Sequence, residues 1–167
     1  MLRRRPLAPQ PLPTFSVTSG PCTVTEGGAC FRTPNYPDDY GSSQDCEIAV
    51  SGAGFARATA FDTESGYDYV TIGGTQYDGD GGALASGGVL VGDGTTVAWH
   101  ADSSEQRSGA EVCGISCDEA CRPHGTPASC GSDGVTCACA DGWVGDVCNV
   151  RQLSVVRCVL FSVMFFF

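Results

Sequence analysis

Eleven cysteines in 167 residues constrain this chain more than any other feature, because they fall into two unlike groups and a remainder. Cys22, Cys30, Cys46 and Cys113 are spread through a region of short apolar runs. Cys117, Cys121, Cys130, Cys137, Cys139 and Cys148 form a dense series behind it, and Cys158 stands alone near the C-terminus. Four, six and one are the numbers of two disulfide-bonded modules and an unpaired thiol. Disulfides persist in oxidising compartments, so the chain is expected outside the cell or on its surface. The second module, at about thirty residues, is too small for apolar burial alone to hold it, and cross-links worth roughly 2–4 kcal/mol each must substitute.

Charge excludes one class of partner. All nineteen acidic residues lie between Glu26 and Asp146, where only Arg32, Arg57, Arg107 and Arg122 oppose them, and the chain has no lysine. Such a surface repels phosphate backbones, so no nucleic-acid partner is expected, while clustered carboxylates suit a divalent cation. Most of these charges serve solubility.

Four segments are expected: a disordered, proline-rich leader (residues 1–20), a β-module (21–115), a small cysteine-dense module (116–149) and a hydrophobic tail (150–167). Residues 1–13, MLRRRPLAPQPLP, begin like an export signal, but their prolines break up the apolar stretch a signal needs. The apolar end of the tail, VLFSVMFFF, is shorter than the roughly 20 residues that span a bilayer. It reads as a truncated membrane segment, an anchor signal or, preferably, the read-through end of a misdrawn reading frame. Membrane attachment through this tail therefore stays open.

Between the termini the chain is expected to be all-β. Cys46, Ile48 and Val50 alternate with Glu47 and Ala49, and Phe55, Thr59 and Phe61 oppose a small face of Ala56, Ala58 and Ala60. Runs at residues 67–72, 89–91, 95–100 and 109–113 continue the pattern, and no sustained helical periodicity appears. The glycine-rich stretch 73–82 reads as hairpin loop. Its DGDGG resembles the start of an EF-hand loop, but the twelfth position from Asp78 is Val89 rather than glutamate.

Pro34-Asn35-Tyr36-Pro37 with Tyr40 and Cys46, the run from Phe61 to Val70 (FDTESGYDYV), and Ala101-Asp102-Ser103-Ser104 with Arg107-Ser108-Gly109 together resemble a CUB domain. The resemblance implies a β-sandwich of two antiparallel sheets acting as an extracellular recognition module. In the calcium-binding members of that family a glutamate, an aspartate shortly after it and a late aspartate converge on one edge. Glu64, Asp68 and Asp102 hold those positions here, with the backbone of residues 103–105 available for a carbonyl. Three close carboxylates are costly unless a hard cation neutralises them, so Ca²⁺ is the expected ion. The alternative is that Glu64 and Asp68 are loop carboxylates and Asp102 caps a turn. Tyr67 is read either as a partner of Glu64 or as core, and Tyr36 as a packing residue. If Cys22–Cys46 is the family's usual first bridge, Cys30–Cys113 remains, although four cysteines allow three pairings.

Residues 117–148 end in C-A-C-A-D-G-W-V-G-D-V-C, which resembles an EGF-like domain. That resemblance implies Cys117–Cys130, Cys121–Cys137 and Cys139–Cys148 around a small two-stranded sheet. The residues before Cys117 carry no acid or amide, so no calcium is expected in this module.

No catalytic constellation stands out. A P-loop is excluded without lysine, H-E-x-x-H and G-x-S-x-G are absent, and His100 and His124 read as structural or exposed. The chain is therefore expected to be a non-enzymatic recognition module for an extracellular protein or glycan ligand. Two alternatives remain: the non-catalytic segment of a larger secreted protease, which a protease domain in the full-length transcript would reveal, and a structural matrix spacer, which would show no calcium-dependent ligand.

Overall fold

The computed structural model describes residues 12–116 in full, apart from the side chain of Glu26, and the segments 125–131, 134–140, 143–144 and 150–151 mainly as backbone. Among the described residues ten strands precede residue 116: β1 (Thr14–Ser19), β2 (Thr23–Val24), β3 (Cys30–Arg32), β4 (Gln44–Ser51), β5 (Gly54–Asp62), β6 (Tyr69–Ile72), β7 (Thr75–Tyr77), β8 (Val89–Val91), β9 (Thr96–Ala101) and β10 (Gly109–Ile115). They form two antiparallel five-stranded sheets, ordered β1-β4-β9-β6-β7 and β2-β3-β10-β5-β8. This is the expected all-β sandwich of two antiparallel sheets.

Alternation along each strand supplies the core. Cys46, Ile48 and Val50 of β4, Val97, Trp99 and Ala101 of β9, and Val70 and Ile72 of β6 point inward from the first sheet. Phe31, Ala56, Ala58, Val91, Ala110 and Val112 meet them from the second. Phe31 also takes Phe15 edge-on, with ring centroids 5.2 Å apart.

One detail of β5 departs from simple alternation. Ala56 and Ala58 face the core, yet so does the odd-numbered Phe61. The register with β10 shifts between Glu111 and Val112, where Ala60 and Ala58 are the successive partners and Thr59 is the extra residue. A bulge inserts one residue and so reverses which parity points inward. The small face therefore ends at Ala58, and Phe61 packs against the core beyond it.

Three local expectations are revised. Thr14–Ser19, assigned to the leader, is β1 and pairs with β4, because burial of Phe15 ties this segment down. Thr75–Tyr77, assigned to loop, is edge strand β7, joined to β6 by a tight turn at Gly73–Gly74. Among the described residues one short α-helix, α1 (Gly82–Ser86), buries Leu84, and five residues are too few to leave a helical period in the sequence.

Two disulfides lie in the sandwich. Cys22 bonds Cys46 with Cα atoms 6.0 Å apart, and Cys30 bonds Cys113. Beyond residue 116, β11 (Gly125–Gly131) pairs with β12 (Gly134–Cys139), and β13 (Trp143–Val144) with β14 (Val150–Arg151). Val150 and Arg151, assigned to the tail, are thus strand residues. Cys139 is disulfide-bonded. The expected pairings Cys117–Cys130, Cys121–Cys137 and Cys139–Cys148, and the solitary Cys158, lie outside the described residues. No helix among the described residues is long and apolar enough to cross a membrane.

Candidate metal centre

Strand register brings two of the three carboxylates together. Tyr69 of β6 stands opposite His100 of β9, so the residue just before β6 meets the residues just after β9. Asp68 and Asp102 occupy those places, and the Asp102 N–H donates to Asp68 Oδ1 at 2.7 Å. A turn delivers the third: the N–H groups of Tyr67 and Asp68 both donate to the Glu64 carbonyl, at 3.4 and 3.1 Å. Thr63 closes this turn from beneath, its hydroxyl donating to the Asp68 carbonyl at 2.8 Å and accepting the Gly79 N–H at 2.9 Å. One carboxylate oxygen from each of Glu64, Asp68 and Asp102 lies within 4.8 Å of the others.

Each carboxylate is held differently. Asp68 is fully buried, and the Tyr40 hydroxyl donates to its Oδ2 at 2.6 Å. Burial, then the bond to Asp68, pushes the Tyr40 hydroxyl pKa upward and keeps the group a donor. The same hydroxyl oxygen accepts the Glu64 N–H at 3.2 Å, so Tyr40 joins two members of the cluster. Asp102 Oδ1 accepts both the N–H and the hydroxyl of Ser104, at 2.8 and 3.3 Å. The turn-capping alternative is therefore real for one oxygen of Asp102, but it leaves the other available.

Glu64 is the uncompensated member. Its Oε2 is buried without a hydrogen-bond partner among the described residues. Burial, followed by the charges of Glu105, Asp102 and Asp68, raises its pKa above the ordinary carboxylate value, with Arg107 opposing. Arg107 is only loosely engaged, 3.6 Å from Asp62 and 3.7 Å from Glu105. A buried acceptor without a donor, in a field of like charge, is the condition that a hard cation relieves. Ca²⁺ takes six to eight oxygens in adaptable geometry, and an all-carboxylate donor set suits it. The residues present fit that ion.

Sequence reasoning missed Tyr40 as a site residue, although it lies in one of the motifs that carried the resemblance. It is buried, edge-on to Trp99 at 4.9 Å, and nothing in its local sequence connects it with Asp68. Tyr67, read as a Glu64 partner or core, is instead 59% exposed. Tyr36 packs beneath the Arg32 guanidinium, 5.7 Å from its ring centroid. The carboxylates of the glycine-rich loop serve local bonds: Asp80 accepts the Gly82 N–H and Asp78 accepts the Ser65 hydroxyl. His100 bonds Asp45 at 2.6 Å on the outer face, its ring against Tyr69. His124 lies outside the described residues.

No protein-family model matches the chain, and no curated protein matches it. Among solved structures, the CUB1-EGF-CUB2 domain of human MASP-1/3 is similar over 69% of this chain and 52% of that one, with 22% sequence identity and a TM-score of 0.41. The chain thus spans about half the length of that fragment.

Proposed function

We propose that this chain is a non-catalytic extracellular recognition protein. A CUB-type sandwich, running from β1 to β10, is followed by an EGF-like module, and Ca²⁺ held by Glu64, Asp68 and Asp102 orders the sandwich edge that meets a protein or glycan ligand. The observation carrying this reading is the convergence of three carboxylates within 4.8 Å with Glu64 Oε2 buried and unpartnered. Bound Ca²⁺ would supply positive charge that joins the 63–68 turn to the segment after β9. Tyr67, exposed on that turn, then offers a partner an aromatic face beside the ion. Disulfides in the sandwich support an oxidising compartment.

The test is calorimetric titration of the full chain with Ca²⁺, compared with Asp68→Ala and with Asp102→Asn, which retains the shape of the side chain. Saturable binding at or below millimolar Ca²⁺, weakened at least tenfold in both variants, is the expected result. An unchanged affinity in folded Asp102→Asn, or no heat of binding to the parent protein, overturns the assignment.

A further inference from the structure

The two disulfides of the sandwich differ in a way that the metal centre does not use. Cys22 and Cys46 are buried, at 7% and 2% exposure, and their Cα separation of 6.0 Å sits in the range a disulfide ordinarily adopts. Cys30 and Cys113 are both half-buried and stand directly opposite each other on adjacent antiparallel strands. The flanking bonds, Gly114 N–H to the Ala29 carbonyl and Thr33 N–H to the Ala110 carbonyl, place this couple at a non-hydrogen-bonded position of the ladder. Such positions hold Cα atoms about 4.5 Å apart, well inside the roughly 5.5–6 Å a disulfide prefers. The separation here is 4.0 Å. It is shorter than either value.

The surroundings distinguish the two sulfurs. Arg57 of β5 is the cross-strand partner of Cys113, which puts a guanidinium on the same face of the sheet. The Thr59 hydroxyl lies 4.0 Å from Cys113 Sγ. Glu111, an acid on this face, is engaged by Arg32 at 2.7 Å and by Thr59 at 2.7 Å. A cation beside a sulfur favours its thiolate and so makes it the better leaving group.

We propose that Cys30–Cys113 is a site of thiol–disulfide exchange with an external dithiol, and that its opening reversibly loosens the edge strand β2 and its neighbour β3. A reductant thiolate attacks Cys30 Sγ, the Sγ–Sγ bond breaks, and Cys113 leaves as a thiolate beside Arg57. The second thiol of the reductant then attacks its own sulfur in the mixed disulfide and releases Cys30. The protein gains two electrons and, on protonation, two thiol hydrogens, while the dithiol becomes a disulfide. In the reduced protein β3 is held to β10 by its three-residue ladder, the flanking Gly114–Ala29 and Thr33–Ala110 bonds and the Arg32–Glu111 ion pair, with no covalent tie, and β2 is attached to the sheet through β3.

The native full chain is treated with graded dithiothreitol, alkylated and peptide-mapped. Cys30 and Cys113 are expected to be reduced at least roughly tenfold faster than Cys22 and Cys46, so that a species with the buried bond intact accumulates. Simultaneous reduction of both bonds, or earlier loss of Cys22–Cys46, overturns the proposal. With glutathione, the trapped adduct is expected on Cys30, and an adduct on Cys113 overturns the direction of attack. Arg57→Gln, which leaves both bonds in place, should slow reduction of Cys30–Cys113 several-fold without changing Cys22–Cys46; an unchanged rate removes the role of Arg57. Amide exchange in the reduced protein should rise at β2 and β3 more than at β4, and equal protection there overturns the loosening.

Discussion

The Tyr40 hydroxyl lies 2.6 Å from Oδ2 of Asp68, joining a residue that precedes β4 to a buried carboxylate that precedes β6. A carboxylate withdrawn from water must be solvated by the protein, and here the phenol on one oxygen and the Asp102 N–H on the other do so. The couple is thus part of the fold as well as part of the candidate site. Tyr40→Phe removes one of these donors without changing the shape of the core. It should destabilise the protein by about 1.5–3 kcal/mol in chemical denaturation, because a charge-assisted bond to a buried group is lost.

Metal should act on stability through the same cluster. At Ca²⁺ one hundred times its dissociation constant, the folded state should gain about 2.7 kcal/mol relative to protein in chelator. Mg²⁺ should stabilise far less, since it demands a smaller octahedral cage and sheds water reluctantly. Thermal melts in Ca²⁺, Mg²⁺ and chelator check this, and equal melts in all three count against the site.

Glu64 gives the metal-free protein a pH dependence of defined sign. Its folded value is raised above the ordinary 4.5 by burial first and by Glu105, Asp102 and Asp68 next. Its contribution to stability is complete below the unfolded value and is lost as pH rises through the folded one. In chelator, Glu64→Gln should flatten this loss and be more stable than the parent at neutral pH, while losing the Ca²⁺ response. Denaturation curves from pH 4 upward, an interval beginning near the ordinary carboxylate value of about 4, measure both effects.

Glu111 behaves in the opposite sense. The Thr59 hydroxyl first, and Arg32 next, hold its carboxyl below the ordinary 4.5, although burial opposes them. Its stabilisation is present above the unfolded value and disappears as pH falls through the folded one. Glu111→Gln should therefore flatten the acid limb of the stability curve, and Thr59→Val should do so in part. Acid titration followed by circular dichroism distinguishes these variants from the parent.

Gly109 opens β10 at φ +77°, in a region that L-residues enter at a cost. A methyl group there would be driven into the Thr33 hydroxyl, which accepts the Ala110 N–H at 2.9 Å, and against the Tyr40 ring. Gly109→Ala should cost more than about 1–2 kcal/mol, the left-handed backbone term alone. An unaltered melting temperature would mean that neither constraint operates.

Several features of the molecule were readable from residue order. Inward-facing Cys46, Ile48 and Val50 follow from alternation alone, since a strand has a period of two. The same rule misplaced Phe61, because a bulge is a property of two paired strands and is not written in either one. β1 and β7 were likewise missed: Phe15 becomes a core residue only when Phe31 packs against it, and β7 is a strand only because β6 accepts it.

The candidate site divides in the same manner. Composition, cysteine grouping and strand alternation determined an all-β, disulfide-containing chain, because residue chemistry and local periodicity are carried by the chain itself, while Glu64, Asp68 and Asp102 entered as metal candidates through the resemblance of their motifs to CUB domains. Tertiary structure alone decided that Tyr40 bonds Asp68, that Glu64 Oε2 lacks a partner, that Tyr67 faces solvent and that Cys30 opposes Cys113. Each of these depends on which distant strands lie side by side and in what register. Register is settled by the packing of both sheets together, so no stretch of sequence contains it.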